Sequence, residues 1–231
     1  MREFIENSVF FGVMVTFASY ALGLVLKKRF KSALFNPLLI SIAIIIAFLA
    51  ITGVDYDSYA RGADCVSYLL TPATICLAVP LYQQMELLKQ NYKAVLAGIL
   101  AGALSSMTCV LVLALMMHFD HAAYVTFLPK SITTAIGIGV SEELGGYVSI
   151  TVVVIIVTGV LGNIFAEQAL RIMRIKEPIA KGIAIGSASH AVGTARAMEM
   201  GPIEGAMSSL SIVVSGILTV IGAPFFASLI N

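Results

Sequence analysis

The stretch LPKSITTAIGIGVSEELGG, residues 128–146, decides how the chain is organised. It holds four glycines, one proline and three charged side chains, Lys130, Glu142 and Glu143, within a hydrophobic chain. Lipid offers no hydrogen bonds to free backbone groups, so this composition argues against a continuous lipid-facing helix. Its flanks differ: residues 94–117 and 147–166 are unbroken apolar runs long enough to span a bilayer. His118, Asp120 and His121 follow the first run, and Arg171, Arg174, Lys176 and Lys181 follow the second. Cations concentrate in cytoplasmic loops, which places Arg171 inside and His118 outside. Because 147–166 makes the one crossing required between them, 128–146 is expected to enter and leave from one face as a re-entrant element.

The whole composition fits a bilayer. Of 231 residues, 59% are apolar and only 12% are Asp, Glu, Lys or Arg, where soluble domains average about half and about a quarter. A globule of this length could not bury that excess, so apolar surface faces lipid. At about 20 residues per span, the expectation is an all-α integral membrane protein with about seven or eight hydrophobic passes. It is read as a single transmembrane domain over 1–231, with broken or re-entrant helices. The net charge of +1, from 14 basic and 13 acidic residues, argues against nucleic acid as a partner. Cys65, Cys76 and Cys109 have neither CxxC spacing nor nearby His pairs and are expected as packing residues.

Residues 8–26 form the first apolar segment and run into Lys27, Lys28, Arg29 and Lys31, a cytoplasmic cluster that puts the N-terminus outside. The cluster follows the segment instead of preceding it, so a retained transmembrane helix is expected and not a signal peptide. Segment 37–53 opens with Asn36 as cap and Pro37 in the first turn. It leads to an external stretch with Asp55, Asp57, Arg61 and Asp64. Pro72 and Pro80 interrupt 65–82, which predicts a broken helix. A linker with Lys89 and Lys93 returns to the cytoplasmic side. Small and polar residues make 182–200 irregular, and 204–230 is the last span, with the side of the C-terminus left open. LLTPATICLAVPLY (69–82) and GSASHAVGTARAMEM (186–200) are each followed by a polar joint and a long apolar run. That pattern predicts inverted repeats with halves 1–93 and 94–231.

Ionisable groups at membrane depth are costly, which makes them functional candidates. Lys130 stands beside Ser131, Thr133 and Thr134, a cation among hydroxyls at an expected helix start, suited to a small carboxylate. The alternative is a lysine that snorkels to the interface. A second cluster holds Ser187, Ser189, His190, Gly193, Thr194 and Arg196. In a regular helix His190 and Arg196 lie nearly two turns apart, which would turn both toward one cavity. The alternative is packing through small residues, with Arg196 paired to Glu199 or reaching the headgroups. His190 either hydrogen-bonds substrate, relays a proton or packs. Glu199 and Glu204 either take protons or form ion pairs. Thr71 and Thr74, three positions apart around Pro72, are a third candidate against a plain proline kink. No Walker A loop, HExxH, Cys/His metal pattern or GxSxG occurs in the sequence. Neither an enzyme nor a cofactor or metal is expected.

Four motifs occur together: Asn36-Pro37-Leu38-Leu39; Pro72-Ala73-Thr74 with Pro80-Leu81-Tyr82; Pro129-Lys130-Ser131-Ile132-Thr133-Thr134; and Ser189-His190-Ala191-Val192-Gly193-Thr194-Ala195-Arg196. On them the chain resembles the LrgB/CidB family over nearly its whole length, and the last two are specific. The resemblance implies an antiholin-like protein of the cell (inner/cytoplasmic) membrane that modulates murein hydrolase activity and lysis, usually with a small holin-like LrgA/CidA partner. It extends to the membrane region of the plastid glycolate/glycerate translocator and to bacterial relatives linked to pyruvate uptake. Ala135 departs from the proline that many relatives carry after the Thr-Thr pair. Two functions are therefore expected as alternatives. One is an ion-coupled carrier for a small organic monocarboxylate (pyruvate, glycolate or glycerate-like), with Lys130 and Arg196 supplying positive charge. The other is a lysis regulator acting with an LrgA/CidA-like partner or as a homo-oligomer.

Overall fold

The computed structural model describes residues 9–30 and 35–230. Ser8 and Lys31, assigned above to the first segment and its basic cluster, lie outside them. Every regular element among the described residues is an α-helix. Among the described residues five stretches are long and apolar enough to cross a membrane: Phe10–Phe30, Tyr56–Gln83, Met85–Met117, Val148–Ile172 and Pro202–Ala227; the apolar helix Pro37–Thr52 is shorter. The chain divides into two compact units, Met1–Cys76 and Leu77–Asn231.

The first unit holds α1 (Val9–Phe30), α2 (Pro37–Thr52), α3 (Tyr56–Ser67) and α4 (Leu70–Cys76). Asn36 caps α2 as its sequence predicts, its side chain accepting from the Leu38 and Leu39 amides at 2.9 and 3.4 Å. Glycine lets α1 approach its neighbours closely: a Cβ on Gly23 would lie 2.8 Å from the Pro37 carbonyl oxygen. Thr16 ties α1 to α3 through the Tyr59 hydroxyl at 2.9 Å.

The second unit begins with α5 (Ala78–Gln83) and α6 (Met85–Met117). Pro72 and Pro80 each sit in the first turn of a short helix, where no backbone donor is missed. The interrupted stretch is thus a series of helix starts. The segment with Lys89 and Lys93, expected as a linker, belongs to α6. Its sequence MELLKQNYK is rich in strong helix formers, and propensity outweighs polarity there.

Two helical hairpins follow. The first joins α7 (His121–Phe127) to α8 (Thr134–Glu143) through the turn 128–133. His121, at its start, bonds the Leu144 carbonyl oxygen just past its end at 3.2 Å, so the chain returns to the level it left. Thr126 Oγ1, near the end of α7, accepts from the Tyr147 amide at 2.8 Å and ties the hairpin to the start of the next helix. The hairpin therefore starts at His121, upstream of Leu128, and its tip is the turn 128–133. After α9 (Val148–Ile172), α10 (Pro178–Met200) is non-helical at Ser189 (φ −135°, ψ 15°) and His190 (φ 42°, ψ −140°). Here the chain reverses. Thr194 in the returning arm bonds Ser208 at 2.7 Å. A Cβ on Gly186 in the outgoing arm would lie 2.9 Å from Ser208 Cα. Both arms thus meet the same turn of α11 (Pro202–Ala227).

Because α10 comes back on itself, α11 starts beside Arg171, Arg174, Lys176 and Lys181 and runs to the opposite end. There the Tyr124 hydroxyl donates to the Phe226 carbonyl at 3.0 Å, and His121 Nδ1 lies 2.6 Å from the Ile230 carbonyl oxygen. The end of α11 therefore lies with His118 and His121, which settles its position relative to the basic end. The core at that end gathers Met107, Tyr124, Leu128, Ile132 and Ala223. Exposed Leu96, Leu100 and Leu104 on α6, Val153 and Val157 on α9, and Val213, Ile217 and Ile221 on α11 leave apolar faces that match lipid. The cysteines differ from expectation: all three are free and exposed. A thiol is apolar enough to sit on such a surface without a packed environment.

Candidate functional site

Within the second unit the two hairpin tips border one cavity of about 510 Å³. Its walls are Gly98 to Cys109 on α6, Gly162 to Leu170 on α9 with Met173 and Ile175 just past its end, the 183–189 arm of α10, and Lys130 with Ser131 from the first tip. Its charge is one-sided. Among the described residues that line it, Lys130 is the only Asp, Glu, Lys, Arg or His, and five serines, Ser105, Ser106, Ser131, Ser187 and Ser189, share the wall with it.

Lys130 Nζ donates to Ser131 Oγ at 3.0 Å, and Ser131 Oγ lies 2.9 Å from Ser106 Oγ. With the ammonium donating, the Ser131 proton is free to turn toward Ser106. Ser187 is 4% exposed and its hydroxyl has no hydrogen-bond partner among the described residues. Buried polar groups are seldom left unpaired unless a ligand or water completes them. An uncompensated cation, donor hydroxyls and low-dielectric walls suit a small anion.

Glycines make this arrangement possible. A Cβ on Gly102 would lie 2.9 Å from Ser187 Cβ, and one on Gly162 would collide with Ser189. A Cβ on Gly159 would lie 2.6 Å from His190 Cε1. The imidazole uses this gap to bring Nε2 within 3.0 Å of the Ile155 carbonyl oxygen. Asn163 donates to the Val192 carbonyl at 2.7 Å, satisfying an acceptor beside the reversal.

The remaining sequence candidates are placed as follows. Thr133 caps the start of α8 without a side-chain bond to its amides, Thr134 begins the helix, and neither lines the cavity. Thr194 is fully buried, bonded to the His190 carbonyl at 2.8 Å and to Ser208. His190 also faces packing, not the cavity. Arg196 does not share the cavity with Lys130. The reversal at 189–190 carries it back toward the basic end, where it pairs with Glu167 at 2.5 Å and with Glu199. The pair with Glu199 is the arrangement that the sequence offered as its alternative, and Glu167 is a second partner that it did not name. Thr71 is an exposed residue of α4 in the first unit, and the side chain of Thr74 lies outside the described residues. Sequence reasoning missed Ser105 and Ser106, which stand in an ordinary apolar span. Their only sequence signal was a pair of hydroxyls preceded by Gly98 and Gly102.

The LrgB-like family model matches residues 16–229. The chain is 39% identical over 225 residues to the antiholin-like protein LrgB of Bacillus subtilis (strain 168), covering 97% of each chain. It is 36% identical over 223 residues to the protein of that name from Bacillus mycoides (strain KBAB4), covering 96% of this chain and 97% of the relative. No solved structure matches.

Proposed function

The chain belongs to the LrgB-like family, and from that premise we propose that it is a multi-pass membrane carrier for a small organic monocarboxylate of the pyruvate, glycolate or glycerate kind. The observation that carries this reading is the single cation, Lys130, set with Ser131 and Ser106 in a cavity with no carboxylate among its described lining residues. A monoanion neutralises that charge, and hydroxyls such as Ser187 and Ser189 are available to its oxygen atoms. The cavity reaches Met173 and Ile175, next to the cations that the positive-inside rule places in the cytoplasm. It would therefore receive or release the anion on the cytoplasmic side. Two hairpins entering from opposite ends, both within 94–231, suit alternating access coupled to protons or sodium, and they do not correspond to repeat halves 1–93 and 94–231. The five candidate spans and the shorter apolar α2 support a multi-pass protein of the cell membrane, in which the two hairpins are re-entrant and add no crossing.

A second reading is favoured by a different observation. The relatives are named antiholin-like, and those names speak for a regulator of murein hydrolase activity and lysis more directly than any relative's name speaks for transport. In that role the protein would act with a holin-like membrane partner or through self-association. A carrier of organic acid also alters the proton balance of the cell, so one molecule can satisfy both readings.

Uptake of labelled pyruvate or glycolate into proteoliposomes separates them. The carrier reading expects uptake by the unaltered protein and a loss of about 10- to 100-fold in Lys130→Ala, the worth of a charge-assisted hydrogen bond. No uptake by correctly folded protein, with lysis still modulated in cells, would leave only the regulator.

A further inference from the structure

A second cavity, of about 610 Å³, lies at the basic end of the second unit. Its lining includes Arg171, Arg174, Lys176 and Lys181 and three carboxylates, Glu167, Glu199 and Glu204. The carboxylates are already engaged or withdrawn. Arg196 holds Glu167 and Glu199, and Glu204 is 8% exposed, with its carboxylate close over Gly201. None of the four lining cations forms an ion pair with a described residue. One of them also sits in a costly conformation. Arg174 adopts φ 57° just beyond the end of α9, a left-handed position where glycine is the usual residue because a side chain is disfavoured there. The turn is closed by the Ile175 amide bonding the Leu170 carbonyl at 2.9 Å.

From this geometry we infer that the cavity is a binding site for a phosphoryl group, distinct from the Lys130 cavity and independent of what that cavity carries. Guanidinium forks and ammonium groups match phosphate oxygens. A phosphoryl anion also meets the net positive charge left once Arg196 has taken up two of the acids. Basic pockets at the cytoplasmic ends of membrane helices are suited to anionic lipid headgroups, and a soluble phosphate offers the same oxygens. Leu170 and Ile175 belong to the walls of both cavities, so an occupant here presses on the mouth of the Lys130 cavity and is placed to regulate it.

The test uses the full chain in uncharged detergent and follows its thermal unfolding midpoint at matched ionic strength. Short-chain phosphatidylglycerol, short-chain phosphatidylcholine, inorganic phosphate and sodium chloride are titrated in turn. Phosphatidylglycerol or inorganic phosphate should raise the midpoint saturably, whereas phosphatidylcholine and chloride should not. The double variant Arg171→Gln/Arg174→Gln should need about tenfold more ligand. Lys93→Gln, which removes a cation of α6 outside this cavity, should behave as the unaltered protein. Response to the lipid alone identifies a headgroup as the source, and response to both identifies phosphate itself. Should the double variant fail to fold, Lys181→Gln and Lys176→Gln are read separately against the same ligands. Equal responses to phosphatidylglycerol, phosphate and chloride, or an unchanged affinity in folded Arg and Lys variants, would overturn the assignment.

Discussion

The two hairpins of the second unit reverse the chain in similar ways and treat their polar groups differently. At the tip of α7 and α8, Lys130 is left facing a cavity with Ser131 as its hydrogen-bond partner. At the tip of α10, His190 is buried against Gly159 and satisfied by the Ile155 carbonyl, while its one nearby cation, Arg196, is carried away into ion pairs. The second tip contributes hydroxyls to the cavity but no charge. A broken helix is therefore not a site in itself. What decides is whether the groups freed by the break are closed off by neighbours or left facing space.

Breaking this asymmetry at the charged tip should have the largest effect. Lys130→Ala removes the cavity's one cation and is expected to lower anion uptake by about 10- to 100-fold, measured in proteoliposomes beside folded protein of equal yield. The second hairpin should respond through stability. Gly162→Leu drives a side chain into Ser189 and should cost about 1–3 kcal/mol, read as a lower thermal midpoint together with lost uptake. His190→Ala leaves the Ile155 carbonyl without the imidazole and should cost about 1 kcal/mol, with the substrate concentration for half-maximal uptake little changed. Were that concentration to rise tenfold at unchanged stability, His190 would have to touch substrate and the contrast between the tips would fail. Arg196→Ala should do least. Its pairs with Glu167 and Glu199 are partly exposed, and such pairs contribute about 0–1 kcal/mol. Uptake within about threefold of the unaltered protein is expected.

The first hairpin was legible because its break is written in Pro129, Lys130 and the glycines, residues that a lipid-facing helix tolerates poorly. Its base was not, since His121–Phe127 reads as an ordinary polar-to-apolar loop and is placed by hydrogen bonds to Leu144 and Tyr147. The reversal in α10 has no proline or glycine at its turning point. His190 takes φ 42°, a conformation that only packing against Gly159 and Gly162 fixes, and those glycines lie on another helix. The sequence turned His190 and Arg196 toward one cavity, but the reversal at 189–190 sends the following helical arm back to the basic end, which is why Arg196 and Lys130 part. Helix propensity explains the early start of α6, where Lys89 and Lys93 suggested a loop but MELLKQNYK forms helix readily. Ser105 and Ser106 became visible only when the tip carrying Ser131 was placed against them.

The central claim is that both hairpin tips border one aqueous anion cavity open toward the basic end. Its most direct measurement is labelling of Ser187→Cys, with Cys65, Cys76 and Cys109 changed to Ser, by a small membrane-impermeant thiol reagent added from the side of Arg171 and Lys181. The account predicts that the thiol reacts, that pyruvate or glycolate slows the reaction, and that Lys130→Ala abolishes this protection. A thiol that stays unreactive in folded protein, or reacts at one rate with and without anion, would contradict it.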